Sequence, residues 1–155
     1  MPPSHTPGLD DGRATDPLQG TVDALVQLSF LVQGLLTRVA ADHELSLAQV
    51  RLLGILRDRR PGMLELARHL ELDKSSMTGL VTRAERRGLV ERLPSPHDGR
   101  GVLVGLTPLG RELTDRFTAE MDRRTAALTA SLTAAEHKQI RALSAGLLRA
   151  AAEQS

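Results

Sequence analysis

The sequence contains no cysteine, tryptophan or tyrosine, and only two phenylalanines among its 155 residues. Without cysteine the chain can form neither disulfide bonds nor thiolate metal sites, and it cannot sense oxidants through a thiol. Hydrophobic residues still make up 41% of the sequence. We therefore expect a core of Leu, Val and Ala, which favours helices packed through leucine-rich stripes. The length suits one domain, or a small lobe with an appendage.

Other absences narrow the class of protein. No apolar segment reaches membrane-spanning length without Asp, Arg or several Gln, and the N-terminus lacks the apolar core of a signal peptide. We therefore expect a cytoplasmic protein with no membrane partner. The sequence also has no glycine-rich phosphate loop, no Ser/His/Asp grouping and no carboxylate pair in an apolar setting. Its five histidines show no metal-ligand spacing. We expect no enzyme activity, no cofactor and no metal site.

Charge is distributed unevenly along the chain, although the net charge is only +1. Residues 46–107 carry eleven Lys and Arg against seven Asp and Glu, which leaves +4. Residues 1–45 carry two against six, and residues 108–155 carry seven against six. The positive middle segment favours a polyanionic partner.

Local signals predict six helices and two strands in the order α-α-α-α-β-β-α-α, a mainly α fold with a small β-hairpin. The strands are expected at residues 89–94 and 102–106, and residues 1–15 as a disordered tail. Capping boxes are expected at two helix starts, Ser46 with Gln49 and Thr133 with Glu136. Further helix starts are expected at Pro17, Met63, Asp73 and Thr107.

The fourth helix, residues 74–88, has two distinct faces. Its apolar residues fall at helical spacing and predict the buried face: Met77, Leu80, Val81 and Ala84. The opposite face carries short hydroxyl side chains and then arginines: Ser75, Ser76, Gly79, Thr82, Arg83 and Arg86. Such a face suits the DNA major groove, where small groups reach base edges and arginines reach guanine or phosphate. The alternatives are an ordinary solvated face and, for Gly79, a tolerated surface glycine.

Together with its neighbouring elements, this helix forms a candidate winged helix-turn-helix motif. A short helix at residues 63–72 and a turn at Leu72 and Asp73 precede it, and the hairpin follows it directly. At the hairpin tip, Asp98 and Arg100 would point the same way in an extended chain. Asp98 could then hold the guanidinium by charge-assisted hydrogen bonds and direct it at the narrow minor groove. The alternative is a solvated turn with an incidental ion pair.

Residues 64–110, LELARHLELDKSSMTGLVTRAERRGLVERLPSPHDGRGVLVGLTPLG, closely resemble the MarR family of bacterial transcriptional regulators. With the flanking helices, the resemblance extends over residues 18–152. It implies a dimeric winged-helix repressor or activator that binds a near-palindromic operator. It places the recognition-helix contacts of the family on Ser75, Ser76, Thr78, Gly79, Thr82 and Arg83, and the wing contact on Arg100, positioned by Asp98. Ala84 stands where the family often carries leucine, a departure that affects packing.

The resemblance and the apolar patterning suggest a division of the chain. We expect a dimerisation helix at residues 16–45, a winged helix-turn-helix lobe at 46–107 and C-terminal dimerisation helices at 108–155. The long helices carry more apolar surface than the lobe can cover, in two stripes: Leu109, Leu113, Phe117 and Met121, and Ile140, Leu143, Leu147 and Leu148. Dimerisation accounts for this surface. An intramolecular bundle is the alternative.

The expected function is that of a sequence-specific transcriptional regulator, a repressor that binds double-stranded DNA as a homodimer and is released by a small-molecule effector. Candidate effector contacts are Arg38, Asp42 and His43, for which a solvated surface role is the alternative. Since the chain has no Tyr or Trp, such a pocket would be mostly aliphatic. The alternative function is a winged-helix protein-interaction module without specific DNA binding. Such a module would not need Arg83, Arg86 and Arg100 aligned with a helix on which Gly79 leaves room for a close approach.

Overall fold

The computed structural model describes residues 17–97 and 99–154. Over these residues it has the predicted order of elements, six helices and a two-stranded antiparallel sheet. They are α1 (Pro17–Asp42), α2 (Leu47–Leu56), α3 (Met63–Leu70), α4 (Lys74–Arg86), β1 (Val90–Pro94), β2 (Val102–Leu106), α5 (Pro108–Leu128) and α6 (Ala134–Glu153). The prediction of a mainly α fold with a small hairpin is confirmed. The predicted tail at residues 1–15 lies outside the described residues.

Side-chain caps determine where several helices begin. At the start of α2, the backbone amide of Gln49 donates to the Ser46 hydroxyl at 3.2 Å. The backbone amide of Ser46 donates to Gln49 Oε1 at 3.0 Å. Thr133 and Glu136 form the same reciprocal box at α6, and Thr107 caps α5. These contacts satisfy amide groups of the first turn, which have no partner within the helix. The predicted capping boxes are therefore confirmed.

The core of the winged lobe lies between α2, α3, α4 and the hairpin. The predicted buried face of α4 is confirmed, because Met77, Leu80, Val81 and Ala84 are all 2% exposed or less. They pack in one cluster with side chains from the neighbouring elements: Leu52, Leu56, Leu66, Val90, Val104 and Leu113. Burial of this aliphatic cluster is the main favourable contribution to the stability of the lobe.

The hairpin is fastened to the lobe at its base. β1 and β2 pair in register from Val90 with Leu106 to Pro94 with Val102. The Val104 amide donates to the Pro61 carbonyl at 2.9 Å, which joins β2 to the segment before α3. The wing therefore extends from a fixed base at the end of α4.

Two backbone features set the ends of α3 and α4. The helix α3 was predicted to continue to Leu72 but ends at Leu70, because Glu71 adopts a left-handed conformation with φ of 55°. Gly88, predicted to end α4, has φ of 70°, a conformation that glycine adopts without strain. The turn after α3 therefore requires a left-handed conformation of a glutamate, which is strained, whereas the turn after α4 uses a glycine.

The chain divides into two compact units within α1, with the boundary between Gly34 and Leu35. In the first unit, the apolar side chains of α1 are exposed: Leu18, Val22, Leu25, Val26, Leu28, Phe30, Leu31 and Val32. In the second unit, α6 has no buried residue and exposes Ile140, Leu143, Leu147 and Leu148. Leu35 and Val39 of α1, which belong to the second unit, are buried.

The segment Leu18–Asp42 is long and apolar enough to cross a membrane, with a mean hydropathy of 1.5 over its most apolar window. Asp23, Gln27 and Gln33 interrupt it but do not lower its hydropathy enough to exclude it. The expectation of no membrane partner therefore stays a prediction. A helix that packs against other protein meets the same criteria, so length and composition alone do not assign α1 to a membrane.

Candidate nucleic-acid interface

The start of α4 is held by one carboxylate. Asp73 accepts a hydrogen bond of 2.6 Å from the Ser76 hydroxyl and one of 2.8 Å from the Ser76 amide. These two hydrogen bonds lower the pKa of Asp73 from its ordinary value of 3.8. The Ser76 hydroxyl donates its only proton to the cap, so its oxygen can act towards another group only as an acceptor.

The residues predicted to contact DNA lie on the side of α4 opposite its buried face. Ser75, Ser76, Thr78, Arg83 and Arg86 are exposed, and Gly79 and Thr82 are half-buried. Four of them line an open hollow of about 450 Å³: Ser75, Ser76, Gly79 and Arg83, with Ala48, Leu72 and Leu80. Thr78 instead lines a hollow between α3 and α4 and donates its hydroxyl proton to the Lys74 carbonyl at 2.8 Å.

Gly79 is not required by the packing of the fold. A Cβ atom at this position would lie 3.2 Å from Arg83 Nη1, the end of a flexible side chain that can move aside. Gly110 is different, because a Cβ there would lie 1.8 Å from the Leu89 carbonyl oxygen. The close packing at Gly110 explains the glycine in the LTPLG motif. Gly79 leaves the surface of α4 open for an approaching group.

Sequence reasoning missed a residue of the wing that contacts this face. Arg92 of β1 donates from Nη1 to Glu85 at 2.5 Å and from Nη2 to the Thr82 hydroxyl at 3.2 Å. The alternation of the strand could have indicated this, because Arg92 shares a face with Val90, which is buried in the lobe. The wing is thus connected through Arg92 to the half-buried part of α4.

The described part of the wing tip is exposed. The Ser95 amide donates to the Gly101 carbonyl at 2.9 Å and closes the loop, and Arg100 lies in an exposed turn. Asp98 lies outside the described residues. The prediction that Asp98 positions Arg100 therefore stays a prediction.

Two of the three predicted effector residues lie together. Asp42 and His43 line an open hollow of about 420 Å³ with Arg116, Ala119, Glu120 and Arg123 of α5. Arg38 is exposed and does not line it. Arg116, Glu120 and Arg123 are not among the residues predicted from the sequence, although their i, i+4 and i+7 spacing on a helix could have indicated a shared face.

Ion pairs connect the residues around this hollow. Arg124 donates to Asp42 at 2.6 Å and also to Glu120, and Arg123 donates to Glu120 at 2.6 Å. The hydrogen bonds from Arg123 and Arg124 lower the pKa of Glu120 from its ordinary value of 4.5. The His43 ring lies 6.1 Å from that of Phe117, centroid to centroid. The hollow is therefore lined by two arginines, Arg116 and Arg123, each ion-paired with a glutamate of α5.

The helix α3, the turn, the polar-faced helix α4 and the hairpin define a winged helix-turn-helix protein. Residues 43–101 match the MarR family. Over 119 residues the chain is 30% identical to the homoprotocatechuate degradative operon repressor of Escherichia coli, a match that covers 76% of this chain and 80% of that protein. The chain belongs to the MarR family, whose members are non-enzymatic DNA-binding regulators.

Two further similarities support this assignment. The multiple antibiotic resistance protein MarR of Salmonella typhimurium is 42% identical over 52 residues, 34% of this chain. That match spans about a third, 36%, of the length of the relative. The crystal structure of NadR in complex with 4-hydroxyphenylacetate superposes with a TM-score of 0.67 at 26% identity, covering 80% of this chain and 89% of NadR.

Proposed function

We propose that this protein is a sequence-specific transcriptional repressor that binds a near-palindromic operator as a homodimer and is released by a small anionic effector. The observation that carries the proposal is the two-faced character of α4. Its apolar face is fully buried, whereas its hydroxyl and arginine residues are exposed, apart from the half-buried Thr82. The wing follows this helix directly. A regulator of this kind acts on chromosomal DNA, so we place it in the cytoplasm.

In the proposed complex, α4 lies in the major groove and the wing contacts the adjacent minor groove. Base and phosphate contacts come from the exposed side of α4: Ser75, Ser76, Thr78, Gly79, Thr82, Arg83 and Arg86. Arg100 acts at the wing, where a narrow minor groove concentrates negative potential. The +4 charge of residues 46–107 supports attraction to phosphate and predicts that binding weakens as salt rises.

The proposed dimer uses the segments 16–45 and 108–155 on either side of the lobe at 46–107. Its support is the exposed apolar surface of α6, where Leu143 is 70% and Leu148 71% exposed. A surface of this kind is typical of an interface. A two-fold dimer would carry two α4 helices to half-sites about 10–10.5 base pairs apart, centre to centre.

The proposed effector site is the hollow between Asp42, His43 and α5. Its support is a lining that offers the guanidinium groups of Arg116 and Arg123 beside the carboxylates of Asp42 and Glu120, with Asp42 held by a hydrogen bond from Arg124. NadR, a similar protein, was solved with 4-hydroxyphenylacetate, an aromatic carboxylate. We infer that this chain takes an organic anion, whose carboxylate would contact an arginine.

One set of measurements tests the proposal. Duplexes recovered by the protein from a randomised pool should share a two-fold motif, and footprinting should protect two half-sites. Light scattering should give twice 16.8 kDa at micromolar concentration. Weak retention on every duplex, with no shared motif, would favour the alternative of a winged-helix protein-interaction module. A footprint without two-fold character would contradict the dimeric docking.

A further inference from the structure

We propose that Arg92 is a positioning residue for DNA reading, which orients the Thr82 hydroxyl so that its proton points to an acceptor in the major groove. This inference rests on the proposed function. The acceptors it would favour are guanine O6 or N7, adenine N7 and thymine O4.

The contacts of Arg92 carry the proposal. Its Nη2 donates to Thr82 Oγ1 at 3.2 Å, while its Nη1 donates to Glu85 Oε2 at 2.5 Å. Thr82 and Glu85 lie on adjacent positions of one face of α4, three residues apart. The planar guanidinium can bridge both groups in a fixed orientation, which a lysine ammonium could not do in the same way.

The orientation of Thr82 differs from that of several other threonines within or at the end of the described helices. Four of them donate their hydroxyl proton to the carbonyl four residues earlier, at 2.7–2.9 Å: Thr78, Thr114, Thr118 and Thr129. Thr82 instead accepts a hydrogen bond from Arg92. A hydroxyl has one proton, and a guanidinium can only donate. The proton of Thr82 is therefore available to DNA, and donation from Arg92 polarises the hydroxyl and strengthens it as a donor.

Glu85 gives Arg92 a second role that the test must separate. The ion pair neutralises a half-buried carboxylate on the proposed recognition helix. Loss of Arg92 would expose that charge and weaken binding to any DNA, whereas loss of the Thr82 orientation would weaken binding to the preferred sequence alone. The variant Glu85→Gln removes the first effect and leaves the second measurable.

The test is a double-mutant cycle between Thr82→Val and Arg92→Met in the Glu85→Gln background. The probes are a duplex selected by the wild-type protein from a randomised pool and a scrambled duplex of the same composition. When Thr82 is present, we expect Arg92→Met to lower the ratio of the affinity for the selected duplex to that for the scrambled duplex about fivefold. A change of this size corresponds to the loss of one hydrogen bond. In the Thr82→Val background the same change should alter the ratio less than about twofold.

Controls make each outcome decisive. Arg86→Met should lower the affinity for both duplexes by similar factors, with or without the Thr82→Val change. Arg92→Lys, which keeps the charge, should still lose discrimination, and thermal unfolding should verify that every variant is folded. An equal loss on both duplexes, or the same loss with and without Thr82, would overturn the inference. A wild-type protein that discriminates no duplex from the scrambled one would instead remove the proposed function, and this inference with it.

Discussion

Arg87, the residue that follows α4, donates a hydrogen bond of 2.6 Å from Nη1 to the carbonyl oxygen of Glu44. Its Nη2 also lies 3.5 Å from the His43 carbonyl. Glu44 has a positive φ of 55° and lies in the turn after α1. The end of the proposed recognition helix is thus bonded to the backbone beside Asp42 and His43, which line the proposed effector hollow.

Replacing Arg87 by Met should lower the free energy of unfolding by about 1 kcal/mol, because the hydrogen bonds to two backbone carbonyls are lost. Urea denaturation followed by helical circular dichroism measures this difference. Arg86→Met is the matched control, since Arg86 is a neighbouring exposed arginine, and it should change stability by less than about 0.5 kcal/mol. Equal effects of the two changes would contradict the structural role of Arg87.

Gly110→Ala should destabilise the fold by about 3 kcal/mol or more, because the new Cβ would lie 1.8 Å from the Leu89 carbonyl oxygen and the backbone would have to move. Gly54→Ala is the control, since a Cβ there meets nothing within 4 Å. It should raise stability by up to about 1 kcal/mol, the helix-propensity difference. Thermal unfolding of the two variants compares them directly. A stable Gly110→Ala protein would show that α5 and Leu89 are not in close contact.

Gly79→Val should weaken binding to both selected and scrambled duplexes, because side-chain atoms would stand between α4 and the groove. Its thermal stability should stay level or rise, since only the flexible end of Arg83 is near. Gel shifts with both duplexes, beside unfolding curves, measure the two properties. Gly54→Ala serves again as a helix-glycine control that should leave binding unchanged. Unchanged binding by Gly79→Val would place Gly79 outside the DNA contact surface.

Glu120→Gln should lower stability at pH 7, because the hydrogen bonds from Arg123 and Arg124 favour the ionised carboxylate and lower its pKa. This stabilisation is fully present above the ordinary value of 4.5 and is lost as the pH falls through the lower pKa of the folded state. The stability difference between wild type and variant should therefore shrink as the pH is lowered from 5 towards about 3. Gly54→Ala, a helix substitution that changes no titratable group, should show no such trend.

Arg100→Ala should weaken binding to the selected duplex while the preferred major-groove sequence stays the same, because the minor groove distinguishes A·T from T·A poorly. Asp98→Asn should also weaken binding, although it removes a negative charge from a protein that we propose binds a polyanion. Simple electrostatics predicts the opposite sign. Measuring the affinity of wild type and Asp98→Asn at two salt concentrations distinguishes the positioning role from simple electrostatics. Tighter binding by Asp98→Asn at both concentrations would show that Asp98 is an incidental turn residue.

The elements of this fold could be predicted because each has a local physical signal. Ser46 with Gln49, Thr133 with Glu136 and the caps at Asp73 and Thr107 act within three residues, so they depend little on the rest of the chain. The buried face of α4 follows from helical periodicity alone. The early end of α3 could not be predicted, because a left-handed glutamate has no sequence signal comparable to glycine.

The sequence by itself determined the order of elements, the family and which side of α4 is exposed, since these depend on neighbours along the chain. The tertiary structure decided the partners of long side chains. Arg92 reaches Thr82 and Glu85, Arg87 reaches Glu44, and Arg124 joins Asp42 to Glu120, across 43 residues for Arg87 and 82 for the pair Arg124 and Asp42. An exposed arginine has many rotamers and many carboxylates or carbonyls within reach. Only the packing of the helices and the wing selects among them.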